Sequence, residues 1–213
     1  MKFLEDDDSI SLVILDLMQP DMSGLDTDLS LGAHISNLGQ KISYTSEEFE
    51  DFIPANLRIG TALKMNLDEY NSFTFIFDVN KLLVPSPPIY ERDGNGVIIT
   101  DLNGNPTISS GKDPNRPFIS GTFGSFSDAP RGFREEMQEL TFSVGTEYWY
   151  GEMFAARVGY FYEHENKGAR KYFTVGLGVR YSTFGLDLSY LIPKDQNNPL
   201  GDTLRFSFLF NFN

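Results

Sequence analysis

The sequence predicts an all-β protein: an antiparallel, up-and-down outer-membrane β-barrel with about eight long strands. The 213 residues include 19 Phe, 10 Tyr and 19 Gly, a composition that favours strands and turns over helices. From about residue 28 onward, apolar and polar residues alternate with period two. Most of the alternating segments are longer than the roughly five or six residues that are typical of strands in soluble proteins.

Each alternating segment places its apolar side chains on one face. In the third segment, Phe73, Phe75 and Phe77 share a face, and the string "LDEY" before it has the composition of a tight turn. The last segment carries an unbroken apolar row from Leu204 to Phe212. The predicted strands are 28–38, 55–66, 70–83, 139–149, 152–164, 171–182, 184–192 and 202–213.

Alternation alone does not separate a membrane barrel from a soluble β-sandwich, because each buries one face of every strand. Strand length favours the barrel, since a tilted strand needs about nine to eleven residues to cross a bilayer. The polar faces carry charges of both signs, among them Arg58, Glu147 and Arg180, which suit a wet or salt-bridged lumen. Tyrosines near strand ends, such as Tyr150 and Tyr181, fit the aromatic girdles of such barrels.

Composition and motifs disfavour several functions. The net charge of −13 leaves no broad basic surface for nucleic acid, and the absence of cysteine excludes disulfides and thiolate sites. His34 and His164 lie on different predicted elements, and no G-x-S-x-G motif is present. We therefore expect no enzymatic activity, no cofactor and no metal. The string "MKFLEDDDSI" lacks the basic and apolar regions of a secretory signal peptide.

Residues 11–26, "SLVILDLMQPDMSGLD", locally resemble the phosphorylation strand and loop of a response-regulator receiver, with Asp16 as the acceptor. A receiver is a doubly wound parallel sheet, so a helix and a strand should separate its acidic pair from the acceptor. Only a handful of residues separate "EDDD" from Asp16. A short strand or a disordered lead-in is the preferred interpretation.

The predicted strands leave one long connection, residues 84–138. Loops of this length in compact proteins are usually functional or disordered. Its string "DLNGNP" has Asp and Asn at calcium-loop spacing, but Pro106 replaces the required Gly and Lys112 stands where the bidentate Glu belongs. We therefore expect a hairpin turn there.

Several long strings resemble, in order, the C-terminal half of the PorV family, outer-membrane proteins of the type IX secretion system in Bacteroidota that are related to FadL fatty-acid transporters. The resemblance covers about residues 27–213. The strings are "ISNLGQKISYT", "FIPANLRIGTA", "DVNKLLVPSPP", "FGSFSDAPRGFREEMQEL", "GTEYWYGEMFAARVGYFYEHENKGARKYFTVGLGVRY" and "NPLGDTLRFSFLFNF".

The resemblance implies a larger, fourteen-stranded barrel without cofactor or catalysis. It also implies an accessory and shuttle role in a Gram-negative outer membrane. The expected partners are the translocon pore protein, secreted cargo with C-terminal secretion signals, the surface attachment complex and outer-membrane lipid. The loop at 84–138 would then lie on the extracellular side. The partner-binding candidates there are Pro85, Pro87, Pro88, Phe118, Phe123, Phe126 and Phe133.

Two alternatives remain open at this stage. The phenylalanines of the loop could instead pack the loop onto its own barrel, and the protein could be a FadL-like transporter of hydrophobic small molecules. A charged lumenal face disfavours a transporter. Because bare strand edges are costly in lipid, we also expect a truncated or fused reading frame. In that interpretation a non-barrel segment at 1–27 joins a barrel portion at 28–213, with the junction near residues 24–28.

Overall fold

The structure, a computed structural model, describes two compact units. The described residues are 11–19, 26–39, 41–43, 50–194, 201 and 203–210. The loop unit consists of Met1–Ser11, His34–Leu57 and Lys81–Leu140, and the sheet unit consists of Leu12–Ala33, Arg58–Asn80 and Thr141–Asn213. The strands are β1 (Ser11–Gln19), β2 (Asp26–Ser36), β3 (Ile42–Ser43), β4 (Glu50–Asp51), β5 (Asn56–Asn66), β6 (Asn71–Leu82), β7 (Ile89–Tyr90), β8 (Ile108–Ser110), β9 (Leu140–Tyr150), β10 (Phe154–Tyr162), β11 (Lys171–Tyr181), β12 (Phe184–Pro193) and β13 (Leu204–Phe210).

One large sheet contains all eight predicted strands and confirms the fold class. Its nine strands follow the order β1-β2-β5-β6-β9-β10-β11-β12-β13, so neighbours in the sheet are successive long strands of the chain. The pairs from β9 to β13 are antiparallel. The order is linear, with β1 and β13 at its two ends.

The additional strand is β1, which lies within the receiver-like string. Its apolar run "LVIL" has no period-two pattern, which is why alternation did not predict it as part of the sheet. Asp16 falls inside β1, and its side chain lies outside what the structure describes. The proposed division at residues 27 and 28 stays a prediction. The string "MKFLEDDDSI" and the residues after Phe210 also lie outside the described ranges.

The alternation predicted for the long strands is confirmed by their register. Val158 pairs with Val175, and Tyr160 pairs with Phe173 with their ring centroids 4.6 Å apart. Many side chains of this apolar face are exposed, including Val158, Val175 and Leu177. In water such a face would be buried, whereas a lipid-facing sheet presents its apolar side chains outward.

The opposite face carries an ion network across four strands. Arg157 on β10 hydrogen-bonds Glu147 on β9, and it donates to Asp187 on β12 at 2.7 Å. Arg180 on β11 also donates to Asp187 at 2.7 Å. The guanidinium carbons of both arginines lie 5.4 Å from the ring centroid of Trp149, within cation–π range. The polar face therefore pairs four of its charges with one another: Glu147, Arg157, Arg180 and Asp187.

Arg157 reaches β12 by crossing over β11, and Gly178 leaves the room for it. A Cβ atom at Gly178 would lie 2.9 Å from Arg157 Nη1 and 2.6 Å from Asp187 Oδ1. Gly32 on β2 is a useful contrast, because a Cβ there would meet nothing within 4 Å. The ion network thus depends on a specific glycine.

The tight turn predicted at "LDEY" is confirmed. The Leu67 amide donates to the Asn71 carbonyl at 2.8 Å. Asp68 Oδ1 accepts from the amides of Tyr70 and Asn71, each at 2.8 Å. The Tyr70 amide hydrogen bond is the main cause that holds the pKa of Asp68 below its usual value.

The connection between β10 and β11 has its own buried carboxylate. Glu163 is buried and accepts two hydrogen bonds from the Arg170 guanidinium at 2.8 Å, and a third from the Arg170 amide at 3.2 Å. The side-chain bonds from Arg170 are the main cause that holds the pKa of Glu163 below its usual value. His164 accepts from the Asn166 amide at 3.1 Å, which caps a single 3-10 turn at Glu165–Lys167.

We predict that Gly178→Val destabilises the sheet by about 1–3 kcal/mol, because the side chain must displace Arg157 or Asp187. Heat-modifiability gels of the detergent-solubilised chain would show a lower unfolding temperature. The matched control is Gly32→Val, which should change that temperature little. Equal shifts for the two variants would contradict the role of Gly178.

We predict that acid weakens the β10–β11 connection. Because the folded-state pKa of Glu163 is lowered, its stabilising effect is fully present above the ordinary glutamate pKa of about 4.3 and is lost as the pH falls further. The protection factor of the Arg170 amide, which corrects its exchange rate for the intrinsic pH dependence, should therefore fall below that pH. Glu163→Gln should show low protection already at neutral pH, and a pH-independent protection factor in the original protein would contradict the prediction.

Candidate partner-binding site

The long connection at 84–138 has secondary structure of its own. It contains the paired strands β7 and β8, helix α1 (Phe118–Gly124) and helix α2 (Phe133–Gln138). The sequence predicted only a loop there, because helices of six or seven residues give too short a periodic pattern to detect. Within the described ranges, no helix combines the length and the apolar character that crossing a membrane takes.

Residues 89–110 form a compact arm, closed by hydrogen bonds among three segments. The Glu91 amide donates to the Thr107 carbonyl at 2.8 Å, Thr107 donates to Ile99 at 2.9 Å, and Ile99 donates back to Glu91 at 2.9 Å. At "DLNGNP", Asp101 Oδ1 accepts from the Asn103 amide at 2.8 Å. The predicted hairpin turn is confirmed.

Lys81, at the end of β6, is the centre of a buried ion cluster. Its ammonium lies 2.7 Å from Glu139 Oε2 and 3.1 Å from Glu136 Oε2. Ser86 donates to the other oxygen of Glu139 at 2.5 Å, and the Ala129 amide donates to the other oxygen of Glu136 at 2.8 Å. Both carboxylates therefore have partners on each oxygen, and the cluster fixes α2 to the segment that follows β6.

A second buried ion pair fixes the segment between the helices. The Asp128 side chain is fully buried and is bonded by the Arg116 guanidinium and by the Ser86 amide. Gly124 leaves room for Arg116, since a Cβ there would lie 2.3 Å from Arg116 Nη1. Gly111, at a φ of +95°, lies against Pro88. A side chain at Gly124 would displace Arg116, whereas one at Gly111 would press against Pro88.

Each short helix buries a polar side chain and exposes apolar ones. Thr122 of α1 and Glu136 of α2 are buried, as is Ser125 directly after α1. By contrast, Phe133 of α2 is 79% exposed and Phe123 of α1 is 63% exposed. Each has an exposed apolar neighbour four residues away, on the same helix face. The docking surface, as we define it, consists of Ile119, Phe123, Phe126, Phe133 and Met137.

This polarity is the reverse of that of a water-facing helix, which buries its apolar stripe. Phe126 lies where the buried ion cluster meets the exposed apolar surface. The Lys81 ammonium lies 5.7 Å from the centroid of its ring, yet the ring is about half exposed. The ion clusters thus support an outer surface that is apolar, as expected of a surface that meets an apolar partner.

Comparison with known protein families bears on the upstream part of the chain. Residues 21–89 match the family model described as PorV, type IX secretion system protein PorV. The resemblance to PorV is confirmed. The match begins upstream of the junction predicted at 24–28. No curated protein matches the chain.

The PorV match divides the seven predicted partner-binding residues. The three prolines lie inside it and the four phenylalanines lie beyond residue 89. Pro85 packs on α1, since a Cβ at Gly121 would lie 3.3 Å from its Cγ. Pro87 is exposed and Pro88 is buried. Phe118 is half-buried, whereas Phe123, Phe126 and Phe133 are exposed. A partner-binding role for the seven stays a prediction.

Four exposed residues of the loop unit were not among the binding candidates predicted from the sequence. Ile119 and Met137 complete the exposed pairs on the two helices, and Arg131 and Arg134 flank Phe133. Helical spacing of four residues in "FISGTFG" and "FREEMQ" is the signal that could have found the apolar pair members. Among the described residues, no group of three or more His, Cys, Asp or Glu is placed to hold a metal ion.

We predict that Lys81→Leu destabilises the loop unit by about 3–5 kcal/mol, because it leaves the buried Glu136 and half-buried Glu139 without their cation. Hydrogen exchange of the α2 amides should accelerate strongly. The matched control is Lys112→Leu, since Lys112 is exposed and donates only to Ser127 Oγ at 3.0 Å. Unchanged protection of α2 in Lys81→Leu would show that the cluster does not hold the helix.

Proposed function

We propose that the protein is a translocon-associated shuttle and accessory component of type IX secretion in the outer membrane of a Gram-negative bacterium. It would associate with the translocon pore protein, accept cargo that carries a C-terminal secretion signal, and pass it to the surface attachment complex. The PorV match over residues 21–89 supports the secretion system. The reversed polarity of α1 and α2 is the observation that carries the partner-binding role.

The energetics of the docking surface favour a protein partner. Fully burying a phenylalanine contributes about 1.5–3 kcal/mol, and two side chains of this type are well exposed, Phe123 and Phe133. The ion cluster around Lys81 holds the helix that carries Phe133. Because the surface is already ordered, binding loses little conformational entropy, and more of the contact energy appears as affinity.

A FadL-like conduit for hydrophobic molecules is less well supported. Such a conduit needs a continuous apolar path along the inner face of its strands. The polar face of the sheet instead carries the ion network of Arg157, Glu147, Asp187 and Arg180. Moving an apolar molecule along that face would place it against charged side chains rather than against apolar ones.

We predict that the double variant Phe123→Ser, Phe133→Ser lowers co-purification with the translocon pore at least about tenfold. Each substitution should remove about 1–2 kcal/mol of contact energy with the partner. The two positions are exposed, so the chain should keep its unfolding temperature. The matched control is Leu102→Ser at the tip of the arm, where the side chain is fully exposed, and it should co-purify normally.

The competing function gives a different pattern. Normal co-purification of the phenylalanine variant would contradict the partner-binding role. A deletion strain that secretes cargo normally but takes up less fatty acid would support a conduit instead. If the deletion strain accumulates unprocessed cargo and the wild-type chain restores secretion, the proposed function is supported.

A further inference from the structure

We infer that the docking surface fits a partner protein whose apolar groove has an acidic rim, with Arg131 and Arg134 as the residues that recognise the rim. This inference rests on the proposed function and adds the chemistry of the partner. The two arginines lie on either side of Phe133, the most exposed aromatic residue of the docking surface. Arg134 is three residues from Met137, on the same side of α2.

Arg131 and Arg134 differ from the paired cations of the loop unit. The chain as a whole carries a net charge of −13. In the loop unit, Lys81 and Arg116 are held in buried ion pairs. Among the described residues, the side chains of Arg131 and Arg134 make no hydrogen bond, ion pair or ring contact, although both are exposed.

The acidic residues of α2 do not neutralise these arginines. Glu136 turns inward to Lys81 and to the Ala129 amide. Glu135 accepts from the Arg131 backbone amide at 3.0 Å, which leaves the Arg131 guanidinium free. The string "FREEMQ" carries a net charge of −1, yet its outward side presents Phe133, Met137 and a free arginine.

A carboxylate-bearing protein is the occupant that these features favour. Exposed aromatic side chains need an apolar groove, and a guanidinium pairs bidentately with a carboxylate. Two unpaired cations next to the groove would raise the association rate with an acidic rim, and salt would screen the effect. An anionic lipid surface and a second copy of this acidic chain are the other possible occupants, and the test below separates them.

The test is capture of the purified translocon pore protein by the full-length chain in detergent, at about 0.05 M and about 0.5 M salt. We expect the double variant R131E/R134E to reduce the association rate about tenfold or more at low salt, and much less at high salt. R131K/R134K keeps both charges and should retain most of the rate. R92E removes another exposed arginine of the loop unit and should bind normally.

We expect the substitutions to preserve the fold. Glutamate at position 134 lies in the first turn of α2, where a negative charge is favourable. Heat-modifiability gels should therefore show the same unfolding temperature for all variants. An effect of R131E/R134E that equals that of R92E, or that salt does not change, would overturn the inference.

Two further outcomes would overturn it in favour of another occupant. If R131E/R134E binds the pore protein normally but loses retention on vesicles with anionic headgroups, the two arginines recognise a lipid surface and not a protein. If it loses only self-association in sedimentation, the rim belongs to a second copy. The proposed function fails separately, when the wild-type chain does not capture the pore protein at either salt concentration. If wild type binds, the phenylalanine variant does not, and R131E/R134E does, only the acidic rim is wrong.

Discussion

A polar or charged group that leaves water must find a partner, and this constraint shapes each unit of the protein. In the sheet unit, Arg157 satisfies this constraint by bonding to carboxylates on strands to either side. In the loop unit, Lys81 meets it by bonding Glu136 and Glu139. In each unit these ion pairs satisfy the charges that they join, and apolar side chains lie on the exposed surface.

The loop unit shows what buried ion pairs contribute, although removing their charges from water costs free energy. Helices of six and seven residues are not stable alone, because nucleating a helix fixes several residues for each hydrogen bond gained. A conventional apolar core would have used the phenylalanines to hold α1 and α2 in place. Here buried ion pairs and close glycine contacts hold them, as Asp128 and Gly124 illustrate. Phe123 and Phe133 are therefore exposed rather than buried in a core.

Strands and turns followed from local patterns in the sequence. Period-two alternation depends only on residues that are adjacent along the chain, so β10 and β11 could be predicted without knowing their partners. Turn chemistry is equally local, as Asp68 and Asp101 show by bonding amides within four residues. A short strand was one of the two interpretations of the segment that contains β1, but its place in the sheet was not predicted because its apolar run lacks alternation. The PorV resemblance was predicted over residues 27–213, and the match, which covers 21–89, confirms it over 27–89.

The sequence by itself thus determined the strands, their apolar faces and the family resemblance, since each depends on neighbouring residues or on long distinctive strings. Only the tertiary structure decided which side of α2 is exposed. Glu136 is buried because it pairs with Lys81, which lies 55 residues earlier in the chain. Phe133 and Arg134 lie outside as a result. Burial of this kind depends on contacts between distant segments. The spacing within "FREEMQ" could therefore pair Phe133 with Met137, but it could not show that this side of the helix is exposed.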